Sequence, residues 1–198
     1  PQPRLVDRAL VAAYAAGMSP LLCLTKADLA DPDTFLSTYR SLGVPWVVTH
    51  RGGELAELHE RLADRVSVLV GSSGVGKSTL VNALVPDAFR EVGVVNAITG
   101  RGRHTSTSAY MLALPDERGW IIDTPGIRSF GLAHVKPEDL IEAFPDLEEM
   151  TEDCPRGCTH GDDEPECGLD EAVTSGQADP DRVTSFRRLL AARSASDY

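Results

Sequence analysis

The sequence predicts an α/β protein in which a mostly parallel sheet is covered by helices on both faces and is followed by a small, mainly helical region. Two observations lead to this prediction. Short apolar segments alternate with segments of helical periodicity over the first two thirds of the chain. Beyond residue 136 the strand pattern ends, and cysteine, histidine, glycine and proline accumulate. We therefore expect one domain over residues 1–136 and a second over residues 137–198.

Periodicity predicts the elements of the first half in order. Residues 5–16 place apolar side chains at helical spacing and stop before Gly17, a common helix end. Asp31 as N-cap and Pro32 in the first turn are typical of a helix start, and we expect this helix to end at Leu42. The other predicted elements are strands at 20–25 and 45–49, a helix at 53–63 and a buried strand at 66–70.

The second half contains fewer regular segments. A helix from Ser78 to Leu84 is followed by residues 85–107, which are rich in glycine, asparagine, arginine and threonine and predict a mobile loop. Beyond it we expect strands at 109–114 and 119–123, a turn at Pro115–Asp116, and helices at 137–144 and 181–193.

The segment between the strand at 66–70 and the helix from Ser78 predicts phosphate binding. It fits the pattern G-x-x-x-x-G-K-[ST] at every fixed position. Glycines permit a tight turn that directs amide hydrogens at a phosphate, and the helix N-terminus adds its positive dipole end. We expect Lys77 to bind the outer two phosphates and Ser78 to ligate the bridging magnesium ion. A chance glycine-rich turn is the alternative. The predicted nucleotide-binding residues are Gly71, Ser72, Ser73, Gly74, Val75, Gly76, Lys77, Ser78 and Thr79.

A second motif, D-x-x-G, lies at the end of the predicted strand at 119–123. Asp123 is placed to hold magnesium through water, and the amide of Gly126 to sense the terminal phosphate. An ordinary turn at a strand end is the alternative for so short a motif, and the phosphate loop upstream favours the switch interpretation.

A third motif, Thr25-Lys26-Ala27-Asp28, fits the guanine-reading pattern [NT]-K-x-D. The Asp28 carboxylate can accept hydrogen bonds from two guanine donors that adenine lacks, and the stem of Lys26 can lie along the base. Thr25 replaces the commoner asparagine. Thr49, at the end of the next strand, is a candidate for a backbone contact that completes the base pocket, with a plain strand terminus as the alternative.

The order of the three motifs is reversed relative to ordinary GTPases, because here the base-reading segment precedes the phosphate loop. A compact domain tolerates such a circular permutation when its ends lie close together on the surface. The sequence therefore predicts a circularly permuted GTPase domain.

The C-terminal region predicts a structural zinc site. Cys154, Cys158, His160 and Cys167 offer three thiolates and one imidazole, which suffices for a closed tetrahedral site. The surrounding segment has too little apolar content to fold by burial, so bound metal has to supply stability, about 10–16 kcal/mol in small zinc peptides. A disulfide pair with a spare thiol is the alternative. We interpret the acidic residues nearby as a solvated loop.

Composition limits the partners. The formal net charge of −11 repels phosphate backbones in bulk, so RNA contact has to be local. The helix at 181–193 offers a candidate basic stripe, with a solvated charged face as the alternative. Its members are Arg182, Arg187, Arg188 and Arg193. Without a signal peptide or an apolar run of about 18 residues, we expect a cytoplasmic protein without membrane contact.

Together these motifs resemble the RsgA (YjeQ) family of circularly permuted GTPases, which act in maturation of the small ribosomal subunit. The resemblance spans nearly the whole chain. It rests on the sequences at 5–10, 25–29, 70–82, 102–107 and 123–128 and on the Cys/His set. Family members also carry an N-terminal OB-fold and a strand before the first helix, which this sequence lacks, so we expect it to be a fragment.

The resemblance implies GTP and GDP as ligands, Mg²⁺ and one structural Zn²⁺ as metals, and the small (30S) ribosomal subunit, with its 16S rRNA and neighbouring proteins, as partner of a monomer. Ile127 stands where other switches have a water-orienting glutamine, and we expect His104 to take that role. Thr105 would ligate magnesium, with Ser106 as the alternative ligand. A solvent-facing loop histidine is the alternative for His104.

The predicted function is hydrolysis of GTP to GDP and phosphate, coupled to binding and late maturation of the small ribosomal subunit. We expect it to be slow alone and stimulated by that subunit. One alternative is a nucleotide-dependent ribosome- or RNA-binding module with negligible turnover. Another is an ATP-using phosphoryl transferase, which requires the guanine-reading motif to be accidental.

Overall fold

The computed structural model describes residues 2–86, 110–124, 132 and 134–194. They form two compact units. The helical unit comprises residues 2–22, 32–45, 132 and 134–194, and the sheet unit comprises residues 23–31, 46–86 and 110–124. The N-terminal helix thus groups with the C-terminal helices. The domain boundary at residue 136 stays a prediction, because a compact unit and a domain of common ancestry need not coincide.

The helical unit contains six α-helices among the described residues, and single 3₁₀ turns at Arg40–Leu42 and Glu149–Thr151. The helices are α1 (Pro3–Ala15), α2 (Asp33–Leu36), α5 (Pro137–Ile141), α6 (Pro145–Glu148), α7 (Gly168–Ser175) and α8 (Pro180–Ser194). The predicted helices at 5–16 and 181–193 are confirmed as α1 and α8. The predicted helix at 137–144 is shorter, and Pro145 begins a new helix directly after it.

The core of this unit is built on aromatic rings. Phe144 is fully buried and meets Tyr14 and Phe186 edge to face, with ring centroids 5.1 and 5.3 Å apart. Leu10 and Val11 from α1 and Leu189 from α8 are buried in the same apolar cluster. The apolar stripe that predicted α1 therefore faces this core.

One helix prediction in this unit is wrong. The expected continuous helix from Asp31 to Leu42 stops at Leu36 and resumes only as a 3₁₀ turn, which ends at Gly43 with φ at 68°. Pro32, not Asp31, occupies the N-cap. The Ser37 hydroxyl donates to the Thr34 carbonyl at 3.0 Å. A serine hydroxyl that donates to a carbonyl of the preceding turn competes with the helical hydrogen bonds to that carbonyl. This competition accounts for the break.

Within its described residues, the sheet unit carries five strands in two sheets. β1 (Leu22–Leu24) pairs with β2 (Trp46–Val48), and β3 (Val66–Leu69), β5 (Trp120–Asp123) and β4 (Tyr110–Ala113) pair in that order. β3 and β5 are parallel, with Leu69 opposite Asp123, whereas β4 and β5 are antiparallel. Helices α3 (Ala56–Leu62) and α4 (Lys77–Leu84) complete the unit, and the predicted turn at 115–116 is a 3₁₀ turn over Pro115–Glu117. The register places the ends of β3 and β5 side by side.

The prediction that the strand at 66–70 is buried is wrong for one of its faces. Val66 and Val68 are 60% and 44% exposed, and Trp120, which is in register with Val66, is 41% exposed. By contrast, Ile121 on β5 and Val81 on α4 are fully buried. The opposite face of the sheet therefore holds the apolar contacts of this unit.

The connection between β4 and β5 depends on Gly119. Its φ is +123°, and a Cβ atom there would lie 2.8 Å from the Leu62 carbonyl oxygen and 2.9 Å from that of Arg65. Only glycine permits so close an approach of two backbone segments.

In the ranges that the structure covers, no helix has both the length and the apolar character that a membrane span requires. The predicted mobile loop at 85–107 falls almost wholly outside the described residues.

Candidate functional site

The phosphate-binding motif lies between β3 and α4, as its sequence context requires. Gly74 and Gly76 have φ values of 80° and 104°, which side chains rarely adopt, and Gly76 is the N-cap of α4. The Lys77 ammonium lies back over the loop and donates to the Gly71 carbonyl at 2.9 Å. Ser78 and Thr79 are exposed in the first turn of α4. Cation, hydroxyls and helix N-terminus thus converge on one loop.

The predicted base-reading segment is hydrogen-bonded to this loop. The Thr25 hydroxyl donates to the Val75 carbonyl at 2.5 Å, and the Lys26 ammonium donates to the Gly74 carbonyl at 2.7 Å. These partners lie 50 and 48 residues apart along the chain. Asp28 follows two residues after Lys26 and is exposed. The two motifs are therefore neighbours in space despite their reversed order.

Thr49 connects the same segment to β2. Its amide donates to the Leu24 carbonyl at 2.8 Å, and its carbonyl accepts from the amide of Ala27 at 3.2 Å. The left-handed backbone of Lys26, with φ at 59°, turns the chain so that Ala27 can make this bond. Thr49 thus holds the base-reading segment against β2, and its contact with the base stays a prediction.

A cleft opens between these segments and α4. It is lined by Thr25, Thr49, His50, Arg51, Gly52, Gly53, Leu55, Gly76, Thr79, Leu80 and Ala83. Residues 50–53 are not among the site residues predicted from the sequence. Their position directly after β2 is the signal that points to them, because ligands of α/β proteins bind at the carboxyl ends of strands.

Asp123 stands at the end of β5, opposite the residue that leads into the phosphate loop. The hydroxyl of Thr124 donates to the Leu69 carbonyl at 2.7 Å and fixes this strand end. Oδ1 of Asp123 is buried and accepts no hydrogen bond within the described part of the chain. A buried carboxylate oxygen without a donor suits a hydrated divalent cation. The position fits the magnesium role predicted for Asp123.

The remaining predicted switch residues lie outside the described residues. They are His104, Thr105, Ser106, Gly126 and Ile127. Their assigned roles stay predictions from the sequence.

The Cys/His set comes together in the helical unit. The four ligand atoms all lie within 4.8 Å of one another. Nδ1 of His160 is 3.7, 3.5 and 3.9 Å from the sulfurs of Cys154, Cys158 and Cys167. Ideal Zn–S and Zn–N bonds in a tetrahedral site separate nitrogen from sulfur by about 3.6 Å. The residues therefore fit a tetrahedral zinc ion, and all four cysteines of the chain are free thiols rather than disulfides.

The backbone around the cluster is arranged for close approach. The Gly168 amide donates to the Cys154 sulfur at 3.1 Å, and a Cβ at Gly168 would overlap the Met150 carbonyl oxygen.

Burial raises the pKa of the Cys158 thiol to about 11 and also raises that of Cys154. Burial lowers the pKa of His160, which keeps the imidazole neutral as a metal ligand requires.

The arginines of the basic stripe predicted on the last helix have partners within the helical unit. Each of its arginines bonds within the helical unit: Arg182 to Asp146, Arg187 to Asp170, Arg188 to Asp7, and Arg193 to the Val135 carbonyl. Carboxylates that are distant in sequence reach these guanidinium groups once the helices pack. The role of this stripe as an RNA- or protein-docking surface stays a prediction.

The fold and the site define the class: the chain has the architecture of a circularly permuted GTPase, with the base-reading segment before the phosphate loop. YjeQ from Thermotoga maritima matches with a TM-score of 0.68 and 29% identity, over 99% of this chain and 68% of that one. YloQ, described as a circularly permuted GTPase, matches with a TM-score of 0.64 and 28% identity, over 100% and 65%.

The sequence profile described as RsgA GTPase matches residues 1–133. Curated relatives named small ribosomal subunit biogenesis GTPase RsgA, from Ectopseudomonas mendocina and Pseudomonas aeruginosa (strain LESB58), are 43% and 44% identical over the whole of this chain. The chain belongs to the RsgA GTPase family, and the resemblance and fold class predicted from sequence are confirmed. The chain spans 60% of the length of these relatives.

Proposed function

We propose that this protein hydrolyses GTP and couples its nucleotide state to binding and late maturation of the small ribosomal subunit. The pair of hydrogen bonds from Thr25 and Lys26 to the phosphate loop carries the proposal. These bonds bring a guanine-reading motif and a phosphate-binding motif within reach of one nucleotide. The names of the curated relatives support the ribosomal partner.

In this proposal different residues of the site bind the guanine base, bind the phosphates and stabilise the negative charge of the phosphates. Asp28 accepts hydrogen bonds from the base, and the loop amides and Lys77 hold the phosphates. Ser78 and Asp123 would hold Mg²⁺, directly and through water, and the ion would neutralise the charge that develops on the phosphates. Oδ1 of Asp123, which accepts no hydrogen bond from the residues that the structure describes, supports this assignment. Thr79, in the first turn of α4, would contact the phosphates next to the loop.

The water-orienting step is assigned to His104 on the sequence alone, with Thr105 as a second magnesium ligand. A side chain that orients the attacking water is needed because Ile127 cannot do so. We infer that hydrolysis by the isolated protein is slow and that the ribosomal subunit accelerates it. An ordered catalytic group supplied or fixed by a partner accelerates related enzymes by about 10³–10⁵-fold.

We also propose that Cys154, Cys158, His160 and Cys167 bind one zinc ion with a structural role. A closed set of four protein ligands leaves no position for substrate. The described segment from Glu152 to Glu166 contains no regular helix or strand, so metal ligation is its natural source of order. We also propose that the protein acts as a monomer in the cytoplasm, where ribosomal subunits are assembled.

The base specificity is tested by Asp28→Asn. An asparagine amide donates where the carboxylate accepted, so it repels the guanine N1 donor and suits the xanthine carbonyl. We expect the variant to bind GTP about 10- to 100-fold more weakly, at 1.5–3 kcal/mol for a hydrogen bond to a charged group. It should gain affinity for xanthosine triphosphate, measured by calorimetry. Unchanged preference for GTP would remove Asp28 from the base pocket, and equal binding of ATP by the wild type would reject the GTP assignment.

Coupling to the ribosome is tested by phosphate release with and without purified small subunits. Stimulated multiple turnover supports the proposed GTPase cycle. A protein that binds subunits in the GTP state and shows no hydrolysis in a single-turnover experiment is a binding module, and the enzymatic proposal then fails.

A further inference from the structure

Arg187 on α8 is buried beside the Cys/His cluster. Its side chain is 11% exposed, and its guanidinium forms a two-pronged pair with Asp170, at 2.7 and 3.0 Å. Its Nε donates to the backbone carbonyl of His160 at 3.1 Å. One guanidinium thus binds both a carboxylate of α7 and the backbone of a predicted zinc ligand.

These two contacts hold both ends of the segment that carries the last ligands. His160 has a left-handed backbone, with φ at 61°, which is an uncommon conformation for a residue with a side chain. Asp170 lies in the first turn of α7, three residues after Cys167. Because a planar guanidinium fixes the direction of each hydrogen bond, Arg187 sets where the His160 carbonyl and the start of α7 lie relative to each other.

The charge of the site calls for a cation at this place. Three thiolates and one neutral imidazole around a divalent ion leave a net charge of −1. The loop adjoining the site is acidic, and its Asp162 carboxylate lies 3.8 Å from the Arg187 Nε. An arginine guanidinium stays charged in proteins, so Arg187 supplies this cation.

We propose that Arg187 is the positioning residue of the zinc site: it holds the His160 backbone and the start of α7 in the ligating arrangement and balances the negative charge of the metal complex. The inference rests on the proposed zinc site. It goes beyond that site because it assigns a metal-affinity role to a residue that is not a ligand. Groups of this kind typically change metal affinity by about 10- to 100-fold when they are removed.

The chain offers a matched control in Arg182. It lies on the same helix and forms an equally short two-pronged pair, at 2.7 and 2.8 Å, with Asp146, but it donates to the Ser41 carbonyl rather than to the Cys/His loop. Removing it costs an ion pair of α8 without touching the metal ligands. A general loss of helix packing therefore affects both variants, whereas a positioning role affects Arg187 alone.

The test uses the full chain with zinc, and it compares wild type, Arg187→Gln and Arg182→Gln in competition with a chromophoric zinc chelator. We expect Arg187→Gln to weaken zinc binding about 10- to 100-fold, and Arg182→Gln to stay within about threefold of wild type. Cobalt substitution gives a second readout, since a displaced ligand changes the ligand-field bands of a tetrahedral site. Equal zinc affinity of Arg187→Gln and wild type, or equal losses in both variants, would overturn the proposal.

Two further measurements keep the result decisive. Asp170→Asn retains the shape of α7 but weakens the hold of Arg187, so it should lower zinc affinity in the same direction by a smaller factor. It replaces Arg187→Gln if that variant does not fold, and unaltered affinity then rejects the inference. A wild-type protein that contains no zinc would instead reject the zinc site itself, which separates the two failures.

Discussion

The nucleotide site and the Cys/His site are built in opposite ways. In the nucleotide site, segments about 50 residues apart meet through side chains that bond backbone carbonyls of the phosphate loop. In the Cys/His site all four ligands lie within one short segment, and the support comes from a guanidinium on a later helix. The first site depends on the sheet unit being folded, whereas the second, in our proposal, depends on a bound zinc ion and on the ion pair between Arg187 and Asp170. Perturbing each site separately tests this difference.

Removal of a zinc ligand is the largest expected perturbation. Cys167→Ser should lose most of the bound zinc and with it the order of the Cys/His segment, because structural zinc contributes about 10–16 kcal/mol in small peptides. Zinc content by atomic absorption and thermal unfolding by circular dichroism measure the effect. Cys23→Ser is the control, since that cysteine lies outside the cluster. A full zinc equivalent in Cys167→Ser would contradict the ligand assignment.

Removal of the phosphate-binding lysine should affect only the nucleotide site. Lys77→Ala loses two charge-assisted contacts, so we expect a loss of about 3 kcal/mol, roughly a hundredfold in GTP affinity by calorimetry. Zinc content should not change. Lys136→Ala removes an exposed lysine of the helical unit and should leave GTP affinity unaltered. A joint loss of zinc and GTP in Lys77→Ala would show that the two sites are not independent.

The proposed catalytic histidine gives a perturbation of rate rather than affinity. His104→Ala should lower turnover about 10²-fold while nucleotide affinity stays near that of the wild type, because the side chain orients water and does not hold the nucleotide. His134→Ala, an exposed histidine of the helical unit, is the control. Turnover equal to wild type would exclude His104 from the reaction.

A backbone substitution beside the metal cluster should have a moderate effect. Gly168→Ala places a methyl group against the Met150 carbonyl, and overpacking of this kind typically costs about 1–3 kcal/mol. Gly161→Ala is the matched control, because its Cβ would lie 3.6 Å from the nearest atom, at an ordinary contact distance. Denaturant unfolding of the zinc-loaded proteins measures both. Equal stabilities would show that α7 can shift without loss.

The smallest expected effect concerns pH. Hydrogen bonds from Arg182 lower the pKa of Asp146, so its folded pKa lies below the unfolded value of about 3.9. This pair therefore stabilises the fold above about pH 4, and the contribution disappears as pH falls through the folded pKa. Because Asp146 is half exposed, we expect Asp146→Asn to cost about 0.5–1 kcal/mol at pH 7 and less at pH 2.

Unfolding by urea at both pH values measures this difference. Asp64→Asn, which removes a more exposed ion pair with Arg118, controls for the loss of one negative charge. A stability loss in Asp146→Asn that is the same at both pH values would contradict the assigned pKa direction.

The sequence predicted those parts of the molecule that local chemistry determines. The phosphate loop and the Cys/His cluster follow from fixed spacings, and the structure brings their residues together as expected. The strand predicted at 119–123 from its apolar pattern is β5, Trp120–Asp123. Contacts between residues that are distant along the chain could not be predicted from the sequence in the same way. Arg187 looked like one of several surface arginines, because its partner Asp170 and the His160 carbonyl approach it only when α7 and α8 pack.

Other differences have similarly local causes. Helix α7 was missed because its start at Gly168 resembles a loop, although that glycine permits the close contact with Met150. The exposure of Val66 and Val68 was missed because a run of valines predicts burial without saying on how many faces.

The anchoring of the loop carbonyls has a consequence for the cost of binding. In a trans peptide the carbonyl and the following amide point in opposite directions. Bonds to the carbonyls of Gly71, Gly74 and Val75 therefore fix the orientation of the amides of Ser72, Val75 and Gly76. An anion that arrives at the loop meets donors that are already aligned, so less conformational entropy is lost on association than with a loose glycine-rich turn.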